Sequence, residues 1–77
     1  MIVAEEVKRR IEDALPGATV EVRAFSGEDH LQASVVAEQF AGKSRIEQHR
    51  MVYASLAGLI GDAVHALQLE TRVPGEG

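Results

Sequence analysis

The sequence predicts an α+β domain of order α-β-β-α-β, a three-stranded mixed sheet with both helices on one face. Three observations carry this. Val3, Val7, Ile11 and Leu15 recur every fourth residue, the mark of one buried helix stripe. Stretches 18–24, 31–36 and 64–71 alternate apolar and polar residues, as half-buried strands do. A second helix separates the last two stretches, and a crossover of that length makes flanking neighbour strands parallel. Only one face of each strand is apolar, so both helices must cover the same face.

The first helix is predicted over 3–15, with acids leading and bases following, and Pro16-Gly17 ends it. In strand 18–24, Val20, Val22 and Ala24 face inward, and Thr19, Glu21 and Arg23 outward. Residues 25–30 form a turn broken by Gly27 and Asp29. Strand 31–36 follows with Leu31, Ala33 and Val35 inward, completing a hairpin. Residues 37–43 connect, with a short helical turn at 37–40. Gly42 supplies the dihedrals of a sharp bend. Ser44 and Glu47 then form a capping box that starts the longest helix, predicted over 45–60 and stopped by Gly61-Asp62. Its inner face is read as Ile46, His49, Tyr53, Leu56 and Ile60, widened by Val52 and Leu59. Strand 64–71 points Leu67 and Leu69 inward, and 72–77 reads as a flexible tail.

The 77 residues make a single domain with a small core. With no cysteine there is neither a disulfide nor a thiolate metal site. A 45% hydrophobic fraction is that of a globular chain, and no apolar run approaches the roughly 20 residues of a membrane helix. Glu5 and Glu6 stand where a signal peptide would be basic, so the expectation is a cytoplasmic chain with no membrane contact. A formal charge of −4 weighs against bulk nucleic-acid binding.

No catalytic set is visible. Ser26, Ser34, Ser44 and Ser55 lack a nucleophile-elbow context, and no P-loop or dinucleotide fingerprint occurs. Gly58-Leu59-Ile60-Gly61 matches a GxxG string but holds no basic residue. His30 and His65 begin the second and third strands, so parallel neighbours would bring them to one sheet edge. Two imidazoles make an incomplete metal site that a partner would have to complete; the plain alternative is two polar residues at strand ends. His49 is read as a packed, hydrogen-bonded histidine of the long helix. Lys43, Arg45 and Arg50 form a basic helix start, either solvated or a contact for an anionic partner or nucleic acid.

The ordered block Phe40-Ala41-Gly42-Lys43-Ser44-Arg45, then His49-Arg50-Met51-Val52-Tyr53, then Val64-His65-Ala66-Leu67, with Thr71 and Pro74, resembles the BolA family over nearly the whole chain. Asp29-His30-Leu31 looks like the branch with histidine in the loop between the first two strands. The resemblance implies a class II KH-like fold and a non-enzymatic partner of monothiol glutaredoxins. It implies a [2Fe–2S] cluster shared with the glutaredoxin cysteine and glutathione, with His65 and His30 as this chain's ligands. Imidazole replaces thiolate on such clusters in Rieske centres. No cofactor is expected on the isolated chain, which would be a monomer or weak homodimer. The family is also linked with stress response and transcriptional regulation, so the alternative is a small nucleic-acid-binding regulator. Where KH domains carry GxxG between helices, this chain has only Gly42, and weak nucleic-acid binding is expected.

Overall fold

The computed structural model describes residues 3–25, 30–59 and 66–75. Helix α1, Val3–Ala14, buries Val7 and Ile11 completely, and Leu15 closes the stripe just beyond it. Strand β1 is Thr19–Ala24, β2 is His30–Val36, α2 is Arg45–Ser55 and β3 is Ala66–Arg72. A single 3₁₀ turn, Glu38–Phe40, lies where a short helical turn is predicted.

The sheet order is β1-β2-β3. β1 and β2 are antiparallel with Val22 opposite Ala33, and β2 and β3 are parallel with Ala33 opposite Leu69. This is the predicted mixed sheet. Val7, Ile11, Val20, Leu31, Val35, Val52 and Leu56 form one core cluster, so both helices pack on the same face. The opposite face is polar and open. Glu21, Arg23, Gln32, Ser34, Gln68 and Glu70 line a shallow groove of about 370 Å³ there.

Four differences from the sequence-based expectation have physical causes. Ala24 lies on the inward face opposite the buried Leu31, yet it is exposed, being the last residue of β1 at one side of the sheet. α2 stops at Ser55, not at residue 60; the Ser55 hydroxyl donates to the Val52 carbonyl and competes with the helix ladder. Gly58 then adopts a φ of 88°, the left-handed conformation that ends a helix, ahead of the Gly61 expected to do so. Residues 60–65, with the predicted stop at Gly61-Asp62 and the predicted start of β3, lie outside the described residues, as do Gly27 and Asp29.

The third difference is the buried face of α2. Ile46 and Tyr53 are exposed, and the half-buried or buried positions are Gln48, His49, Met51, Val52, Ser55 and Leu56. Gln48 is accommodated on this half-buried face because both ends of its amide are hydrogen-bonded. Its Nε2 donates to the carbonyls of Lys43 (3.0 Å) and Phe40 (3.4 Å), and its Oε1 accepts from the Thr71 hydroxyl at 2.6 Å. That set ties α2 to β3 and to the 3₁₀ turn. The fourth difference is the tail. Arg72 belongs to β3, its carbonyl accepts from Ala37 N–H at 3.0 Å, and Val73 packs on the core.

The capping box is present in full. The Glu47 amide donates to Ser44 Oγ at 3.2 Å, and the Ser44 amide donates to Glu47 Oε1 at 2.8 Å. Gly42, at φ 78°, turns the chain into it. The Ser44 backbone N–H, then the Ser44 side chain, hold the Glu47 carboxyl below the usual glutamate range, and the charges of Lys43 and Arg50 add to this. Ser44→Ala is expected to lower stability by about 1 kcal/mol in thermal unfolding. A lowered carboxylate pKa contributes stability above the unfolded value of about 4.3, which is lost as pH falls through the folded value. Glu47→Gln can keep the hydrogen bond but not the charge. Its deficit against wild type should therefore shrink on acidification below that value. A pH-independent deficit would contradict the assignment.

Candidate functional site

His30 is the first residue of β2, at the start of the second strand as the sequence reading has it, so the strand takes in residue 30 and the turn does not. Its carbonyl accepts from the Phe25 amide at 3.0 Å, and its Cα partner on β3 is Ala66. The half-buried imidazole lies beside the Phe25 ring, centroids 6.1 Å apart and planes at 55°. His65 immediately precedes Ala66 in sequence but lies outside the described residues. The described register therefore ends one residue short of the predicted pair. What it establishes is the parallel, adjacent relation of β2 and β3 on which their convergence depends.

Phe25 is a site residue that the sequence reading left in a turn. A signal was available: residue 25 continues the outward phase of Thr19, Glu21 and Arg23. An aromatic on that phase lies on the same sheet face as His30.

Among the described residues no group of three or more His, Cys, Asp or Glu could hold a metal ion. His30 thus offers one nitrogen donor, and this edge would need donors from elsewhere. His49 is half-buried on α2, and among the described residues its imidazole makes no hydrogen bond, which corrects that part of the expectation. It is remote in the fold from the His30 edge, being on the helix layer rather than on the outward sheet face. Lys43, Arg45 and Arg50 are exposed around the start of α2, away from His30. The structure therefore separates two features, an imidazole at the sheet edge and a basic helix start. Gly58 begins the GxxG string in a left-handed turn, and Ile60-Gly61 lie outside the described residues.

The family model "BolA-like protein" matches residues 6–76. The chain belongs to the BolA family. It is 34% identical to BolA-like protein 1 of Homo sapiens over 96% of this chain and 60% of that protein, so it spans about 60% of that relative's length. It is 29% identical over 92% of its length to the "DNA-binding transcriptional regulator BolA" of Escherichia coli, of which it covers 75%. The BolA domain of SufE1 from Arabidopsis thaliana superposes with a TM-score of 0.86 at 26% identity, covering 97% of this chain and 95% of that one. The two helices and mixed β1-β2-β3 sheet are those of BolA structures. No described helix of this BolA-family chain is long and apolar enough to cross a membrane.

Proposed function

We propose that this BolA-family chain is a non-enzymatic partner of a monothiol glutaredoxin. His65 and His30 would be its ligands to a [2Fe–2S] cluster shared with the glutaredoxin cysteine and glutathione. The observation that supports this reading is the parallel β2–β3 register, in which His30 stands opposite Ala66, the residue after His65. The chain's donor set suits the group: imidazole nitrogen ligates [2Fe–2S] iron when thiolates complete the set. Two donors from one chain leave places for a partner, which accounts for an incomplete edge. His30 is held for this by backbone pairing on both sides and by the Phe25 ring. A ligand on a paired strand keeps its geometry better than one on a loop. The bound cluster would supply the iron and sulfide that trafficking or iron and redox regulation handles.

The test is to mix the chain with a monothiol glutaredoxin, glutathione, ferrous iron and sulfide, and to record visible absorbance and circular dichroism. A spectrum distinct from that of the glutaredoxin reconstituted alone is expected. His30→Ala should give a weaker complex that loses its cluster sooner. An unchanged glutaredoxin spectrum on adding the wild-type chain would sink the reading.

A nucleic-acid-binding regulator is the second reading. The exposed Lys43, Arg45 and Arg50, and the name of the Escherichia coli relative, favour it. The net charge of −4 opposes it, since phosphate attraction needs a basic surface.

A further inference from the structure

α2 has two apolar faces, and only one is buried. Val52 and Leu56 are fully covered by the core, whereas Ile46 is 65% exposed and Tyr53 39% exposed. Positions 46, 50, 53 and 54 follow the spacing of one helix stripe, so Ile46, Arg50, Tyr53 and Ala54 share the outward surface. Lys43 and Arg45 flank its N-terminal end. Among the described residues none of Lys43, Arg45 and Arg50 makes an ion pair. The only acid between residues 43 and 59 is Glu47, which is engaged in the capping box. A cationic patch around two exposed apolar side chains thus stands out on a chain of net charge −4.

We propose that this surface docks an acidic amphipathic segment of another protein, two apolar side chains resting on Ile46 and Tyr53 and carboxylates meeting Lys43, Arg45 and Arg50. The mode is that of a partner helix read through anchors spaced along one stripe. Tyrosine and arginine are residue types that anchor interfaces. Three other occupants fit less well. A second copy would pack α2 against α2 about a two-fold axis, and Arg50, near the middle of the stripe, would face its own mate. A nucleic acid gains nothing from Ile46 or Ala54 and is repelled by the overall charge. An anionic membrane would meet a helix of only 11 residues with two apolar anchors and Glu47 among its cations.

The test is amide NMR of the full chain titrated separately with three probes. These are a synthetic acidic helix with leucines two turns apart, random duplex DNA, and vesicles of phosphatidylserine and phosphatidylcholine. The acidic helix is expected to shift resonances of residues 43–57 and to keep residual affinity in high salt, where purely ionic binding vanishes. Ile46→Glu and Tyr53→Ser, both at exposed positions, should each weaken it about tenfold. Arg50→Glu should weaken the acidic helix and strengthen a lysine-substituted version. The proposal fails if the acidic helix does not bind or if Ile46→Glu binds it as wild type does. It fails equally if DNA or vesicles engage these residues more tightly.

Discussion

Phe40→Ala is expected to lower the stability of the fold by about 3–5 kcal/mol, the usual cost of removing a buried phenylalanine ring. Phe40 is fully buried although it sits in a connection, on the 3₁₀ turn between β2 and α2. Its ring belongs to the cluster that joins α1, the sheet and α2. Its carbonyl accepts from the Lys43 amide at 3.1 Å and from Gln48 at 3.4 Å, so the same residue anchors the bend at Gly42. Native domains have only about 5–15 kcal/mol in hand, and small ones lie at the low end. A large loss in urea midpoint is therefore expected, with much of the variant unfolded at body temperature. A midpoint equal to wild type would mean that the ring is not part of the core.

His65→Ala is expected to abolish the mixed-ligand cluster spectrum with a monothiol glutaredoxin while the far-ultraviolet circular dichroism stays that of a folded domain. His30 opens β2, and its carbonyl accepts from the Phe25 amide. His65 is ranked the more important ligand on the resemblance of His65-Ala66-Leu67 to the family's motif. Measuring both variants side by side decides it. If His65→Ala kept the wild-type spectrum and cluster lifetime, the ligand assignment would be wrong. If His30→Ala proved equally severe, the two imidazoles would act as equals.

Local chemistry made much of the fold legible. The alternation in β1 and β2 leaves one apolar face, and the Ser44–Glu47 spacing fixes the start of α2. Pro16-Gly17 ends α1 within a residue of its predicted limit. The buried side of α2 was not legible, because apolar residues lie on both sides of that helix. Choosing between them depends on Gln48, whose partners are the carbonyls of Phe40 and Lys43 and the hydroxyl of Thr71. Those contacts exist only after the chain has folded, so no local pattern announces them. Phe40 escaped for a similar reason: a lone aromatic in a connection has no periodicity to reveal its burial. Of the site, the parallel strand relation behind the histidine pair was readable, while the Phe25 ring beside His30 required the hairpin register.

The parallel pairing of β2 with β3 also orders events during folding. β1 and β2 are joined by a few residues and can zip together locally, but β3 reaches β2 only after residues 37–65 have closed a loop between them. That closure costs chain entropy before any strand contact repays it, and pairings between residues distant in sequence form slowly. The His30 edge is thus completed by the last strand to arrive, and a nascent chain that has made only the hairpin holds half of it. Pulsed hydrogen exchange should find the amides of Gln68 and Glu70, which face β2, protected after those of Arg23 and Gln32, which face each other in the hairpin; simultaneous protection would show that the crossover forms with the hairpin. Capture of the proposed partner would in this way report completed folding, because a chain still waiting for β3 has no finished edge to offer.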